Sequence, residues 1–215
     1  MDVRAAIRSE RAALIALLET LAPEQWATPS LCEGWDVQAV AAHLAWASAL
    51  SLPQGVVELV RAHGRPNRLI HDSAVRWSPR GPQAILAQLR RDLETDAKPL
   101  GMPWDAALLD AVVHGLDVRR PLGEHRDVPT ESFRRVADFA AGARWPSSLL
   151  LGGATAQRLR DVRLVPEGMG WSTGDGAEVV ATPDAALLVL TGRPVRADEL
   201  SGPGAATLLG RVQVR

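Results

Sequence analysis

The chain has 215 residues, 47% of them hydrophobic and 23% charged, with a formal net charge of −1. It can bury a core and is not a disordered chain, and it lacks the positive excess that nucleic-acid phosphates call for. Its single cysteine, Cys32, cannot close an internal disulfide, which points to a reducing cytoplasm.

The basic residues are nearly all arginine, with Lys98 the one lysine, a usage typical of GC-rich genomes. The apolar run AALIALL near the N-terminus is preceded by Arg8, Glu10 and Arg11 and soon followed by Glu19, so it does not read as a signal peptide. The run AVAAHLAWASALSL is too short for a bilayer, which takes about 20 helical residues. The expectation is a cytoplasmic protein without a membrane span.

Val3, Ile7, Leu14, Leu17, Leu18 and Leu21 form a stripe at helical spacing and predict a helix over 2–21. QWATPSLCEGWD, rich in turn formers, reads as a packed loop. Asp36 is a good N-cap for a second helix over 37–52, which Pro53 and Gly55 interrupt. GVVELVRA has the pattern of a short helix, whereas HGRPNRLIHDSAVRWSPRGP reads as loop. Ile85, Leu86, Leu89 and Leu93 predict a third helix over 82–97. Leu109, Val112, Val113 and Leu116 predict a fourth over 104–118. Thr130 can cap a fifth.

The pattern then changes. The glycine pair in LLLGGATAQ marks a domain junction, giving a helical bundle over 1–150 and a small α+β unit over 151–215. RDVRLVP and GDGAEVVAT read as strands. Thr182, Pro183 and Gly192 bracket a helix, and VQV near the C-terminus reads as a last strand. The fold class is mainly α.

Asp110 and His114 stand at i and i+4 on the fourth helix, one turn apart on one face. That spacing can place two ligands around a divalent ion. His43 lies in line with Val40, Ala47 and Leu50 on the second helix. A buried imidazole needs a partner, since an unsatisfied polar group costs about 1–3 kcal/mol. Two readings follow: a core histidine bonded to a carbonyl or hydroxyl, or a third metal ligand supplied where the two helices meet. Asp110, His114 and Asp117 are rotated by about 100° from the apolar stripe, a flank that lines a cavity or faces water.

LAPEQWATPSLCEGWDVQAVAAHLAW and VVHGLDVRRPLG resemble two signatures of the mycothiol-dependent maleylpyruvate isomerase family, within the DinB-like superfamily. LVLTGRP and DELSGPG are similar to its smaller C-terminal domain. The resemblance implies a DinB-like four-helix bundle followed by a small α+β domain, from an actinobacterial source. It implies a divalent metal, commonly zinc, held by His43, Asp110 and His114. It also implies mycothiol as cofactor, for cis–trans isomerisation of a maleylpyruvate-type substrate or for S-transfer to a small electrophile. The family acid is usually glutamate, so Asp110 is a departure. A metal- or ligand-binding protein without catalysis, or a bundle that has lost its metal, are the other readings. In the isomerase a thiol adds to a conjugated double bond, rotation follows, and the thiol leaves.

Arg193 in TGRP is the candidate to hold a substrate carboxylate. Arg119 and Arg120 read as charges at a helix C-terminus, with Asp117 as partner. Cys32 reads as a small buried hydrophobe, because no histidine stands near it in sequence. Trp26, Trp35 and Trp46 read as packing residues, and His63, His71 and His125 as solvated. The expected partners are a small substrate and a low-molecular-weight thiol, with the chain a monomer or homodimer.

Overall fold

A computed structural model of the chain describes residues 1–144, 148, 151 and 153–212. The chain divides into two compact units, Met1–Arg126 and Asp127–Arg215.

The first unit runs through α1 (Val3–Thr20), α2 (Pro23–Trp26), α3 (Val37–Ala49), α4 (Leu52–Arg61), α5 (Pro66–Trp77), α6 (Gly81–Glu94) and α7 (Trp104–Arg119). α1 packs on α6 and α7, and α3 packs on the same two, which closes a four-helix bundle. α5 lies along α3, and α4 along α5. The core is made by the stripes read from sequence: Leu14 and Leu18, Val37 and Val40, Ile85 and Leu89 are all buried. Each such side chain contributes about 1.5–3 kcal/mol.

Local signals explain the ends. Asp2 accepts from the Arg4 amide at 2.9 Å and caps α1. Asp36 accepts from the Ala39 amide at 2.7 Å and caps α3, as expected. α3 stops at Ala49 because Leu50 turns extended and Pro53 enters the first turn of α4. The loop expected from HGRPNRLIHDSAVRWSPRGP is corrected: residues 66–77 are α5, with Pro66 at its first position. Proline there starts a helix, since its missing N–H would have had no partner.

α7 is buried almost all round. Leu108, Ala111, His114, Gly115, Asp117 and Val118 are covered as well as the expected stripe. That settles the polar flank: it lies inside the bundle. Among the described residues no helix is long and apolar enough to cross a membrane.

The second unit holds α8 (Thr130–Gly142), α9 (Thr155–Arg158), β1 (Val162–Pro166), β2 (Ala177–Ala181), α10 (Pro183–Leu190), β3 (Leu200–Ser201) and α11 (Ala205–Val212). The sheet order is β1-β2-β3, with β1 and β2 parallel and β2 and β3 antiparallel. α10 packs on α8 and β1, and α11 on β2. α8 therefore sits with the sheet unit, and the division falls at Arg126 rather than near 150. Thr130 is the first residue of α8, not its cap. Thr182 caps α10 through the Ala185 amide at 3.3 Å. The expected strand VQV is corrected at Val212, which ends α11; the rest of it lies outside the described residues.

Candidate metal centre

The site is built by three segments of the first unit. α3 brings His43, α7 brings Asp110 and His114, and the loop between α2 and α3 brings Cys32 and Trp35. Alanines at 39, 41, 42 and 45 are buried on α3, and Ala111 and Gly115 on α7. Small side chains let helices approach closely enough for facing side chains to meet.

They do meet. Asp110 Oδ1 lies 3.6 Å from His43 Nε2 and 3.4 Å from His114 Nε2. The two imidazole rings are 5.0 Å apart, edge to face. One ligand atom from each of the three residues falls within 4.8 Å of the others. His43 is 6% and His114 9% exposed, so the cluster is not a solvated face. Zinc binds nitrogen and carboxylate oxygen at about 2.0–2.2 Å, which gives a tetrahedron edges of about 3.3–3.6 Å. The N···O separations fall in that range, so the donor set fits a divalent ion.

The electrostatics of the protein alone point the same way. Burial works against the charge on Asp110, but the two imidazoles against it hold the carboxyl well below the usual carboxylate range. Burial likewise opposes a proton on His114, yet Asp110, Asp117 and Cys32 raise its proton affinity. The carboxylate and the imidazole thus stabilise each other's charged forms, and a cation entering the cluster would take the place of the imidazole proton.

A second layer was not legible in sequence. Asp117, fully buried, places Oδ2 2.8 Å from His114 Nδ1. This is the arrangement of a carboxylate that fixes the tautomer and direction of a metal-bound imidazole. Cys32 Sγ donates to the same Oδ2 at 3.1 Å and lies 3.8 Å from His114 Nδ1. Cys32 packs against the core as a partly buried side chain, in keeping with its reading from sequence, and it also has a histidine neighbour that lies 82 residues away in sequence. Asp117, expected beside the arginines, also reaches His114.

The loop is itself a small closed structure. Ser30 Oγ donates to the Trp35 carbonyl at 2.9 Å and accepts from the Cys32 amide at 3.1 Å. The Leu31 amide donates to the Asp117 carbonyl at 3.2 Å, which ties the loop to α7. Gly34 adopts φ +76°, and a Cβ there would stand 3.3 Å from His71 Nε2, so both conformation and space favour glycine. The loop sets the Trp35 ring 5.3 Å from His43, 6.3 Å from His114 and 6.1 Å from His71. Trp35 is thus a wall of the site as well as a packing residue. His71, half exposed, has Nδ1 3.3 Å from Asp72.

Arg119 is buried, only 7% exposed; burial lowers its proton affinity, and Arg126 adds to the effect. Arg193 belongs to the second unit, in the turn after α10, and its guanidinium donates to the Thr191 carbonyl at 3.0 Å.

Residues 7–106 match the family model for the mycothiol maleylpyruvate isomerase N-terminal domain. That stretch includes His43 and ends before Asp110 and His114. Uncharacterized proteins of two strains of Mycobacterium tuberculosis are 28% identical over 162 residues, 64% of this chain. The chain spans 63% of the length of these curated relatives. Crystal structures of a mycothiol-dependent maleylpyruvate isomerase, one of them a histidine-to-alanine mutant, share the fold. At 14% identity they align with TM-scores of 0.65 for the mutant and 0.63 for the other, over 95% of this chain and 92% of theirs.

Proposed function

We propose, on the premise that residues 7–106 match the N-terminal domain of the mycothiol maleylpyruvate isomerases, that this chain is a divalent-metal, mycothiol-dependent enzyme. Its substrate is a small electrophile, and its reaction is maleylpyruvate-type cis–trans isomerisation or thiol transfer. It works in the cytoplasm, on small molecules rather than nucleic acid.

The observation that supports this most is the convergence of two imidazoles and a carboxylate, from separate helices, within 4.8 Å. His43, Asp110 and His114 would hold the ion, with zinc the leading candidate. Three protein donors leave a position for an outside ligand, as catalytic sites require. When bound, the ion supplies Lewis acidity and keeps a thiol as thiolate at neutral pH.

The chain's own residues do the positioning. Asp117 holds Nδ1 of His114 and turns Nε2 toward the shared point. Trp35 covers the imidazoles and limits water. Arg193 holds a substrate carboxylate through its two-pronged guanidinium.

Metal analysis and titration with mycothiol test the reading. One zinc per chain is expected, with thiol binding that depends on it. Full zinc content in His43→Ala or His114→Ala ends the ligand assignment. Zinc binding without thiol binding leaves a metal-binding protein of another function.

A further inference from the structure

A second cavity opens in the first unit, beside α4 and α5. Its volume is about 300 Å³, and Trp46, Gln54, Glu58, Arg76, Trp77 and Arg80 are among its walls. None of His43, Asp110 and His114 lines it. The volume sits at the lower end of the ~300–1,000 Å³ of small-molecule sites.

Three features define what it would accept. The first is charge. Glu58 already serves two cations, Arg61 at 2.9 Å and Arg76 on its other oxygen. Arg80 rests its guanidinium on the Trp77 ring, 4.9 Å from the centroid, and pairs with no carboxylate among the described residues. The walls therefore carry a net positive charge. The second is the orientation of α4. Gln54 and Glu58, one turn apart, line the cavity, while Leu52, Val56 and Val60 on the same helix are 68%, 61% and 71% exposed. A helix ordinarily buries its apolar face; α4 instead gives its polar face to the cavity. The third is shape. Trp46 and Trp77 are half-buried in the walls, and indole faces stack well with flat rings.

We propose that this cavity binds a small aromatic carboxylate. The carboxylate meets the guanidinium of Arg80, with Arg76 beside it, and the ring lies against the indoles. This site is separate from the metal cluster and does not depend on the enzymatic reading above.

The test is calorimetric titration of the full chain, treated with chelator, using sodium benzoate as probe and neutral benzamide as comparator. Saturable one-to-one binding of benzoate is expected, at least tenfold tighter than benzamide. Arg80→Gln, at an exposed position that should not disturb folding, is expected to weaken benzoate at least tenfold, and Arg80→Lys by less. No saturable binding at millimolar benzoate, equal affinity for benzamide, or unchanged affinity in Arg80→Gln overturns the proposal. Because the metal has been removed, none of these outcomes bears on the thiol chemistry.

Discussion

His114 is held between two acids, with Nδ1 2.8 Å from Asp117 Oδ2 and Nε2 3.4 Å from Asp110 Oδ1. One ring nitrogen faces Asp110, in the proposed metal position, and the other is braced from behind. Replacing Asp117 with Asn should therefore lower zinc affinity about 10–100-fold without removing a ligand. Competition with a zinc-sensitive dye measures this. Unchanged affinity would mean that the brace does not matter.

Cys32 shares the Asp117 oxygen at 3.1 Å and lies 3.8 Å from His114 Nδ1, so an adduct on its sulfur would crowd the imidazole. Alkylation with N-ethylmaleimide should push Asp117 from the imidazole and lower the zinc content. Mass spectrometry and zinc analysis of the same sample give the answer. Cys32→Ser should be indifferent to the reagent. Complete alkylation with full zinc retained would refute the coupling.

Asp110 stands where the resembling family usually has glutamate. Its oxygen already lies 3.4 and 3.6 Å from the two nitrogens, a spacing that suits zinc bonds of about 2.0–2.2 Å. An extra methylene overshoots this point. Asp110→Glu should weaken zinc binding, and tighter binding by the variant would show that aspartate is the poorer fit.

The metal-free protein should have a distinctive pH profile. His114 has a raised proton affinity, so its contribution is complete below about pH 6.5 and lost as pH rises through the raised value. Asp110 is depressed, so its contribution is present above about pH 3.9 and lost as pH falls through the depressed value. Chelated protein should melt highest in mildly acid buffer and lower above neutrality. Zinc affinity should move oppositely and rise with pH, because protons compete for the same nitrogens. Melting curves across pH, with and without zinc, check both signs.

Asp92 lies 4% exposed in α6, and its Oδ2 has no hydrogen-bond partner. Burial pushes its carboxyl up, against the Gln88 hydrogen bond and the charges of Arg11 and Arg91. An acid raised in the fold gives stability below its unfolded pKa that is lost as pH rises. Asp92→Asn should raise the melting temperature at neutral pH and flatten this slope, which chemical denaturation at two pH values will show.

Much of the bundle was legible because its helices carry plain apolar stripes between turn signals. α5 was missed because His63, Gly64 and Pro66 look like a loop, and only packing on α3 shows that the proline opens a helix. His43, Asp110 and His114 were visible through one i, i+4 pair and one imidazole in an apolar run. Asp117 was visible as a residue but not as a brace, since its role depends on which way α7 faces. Cys32 and Trp35 carry no local signal at all; they reach the histidines through a loop whose shape rests on Ser30, Gly34 and a bond to α7. The division at Arg126 was hidden because α8 has the same stripe whether it packs on a bundle or on a sheet.

The proposed ligands come from two stretches of chain that are far apart in sequence. An ion seated among them acts as a removable cross-link between α3 and α7. By mass action it favours the folded form over the open one, so the heat resistance of the bundle becomes a gauge of how much metal the cell has supplied.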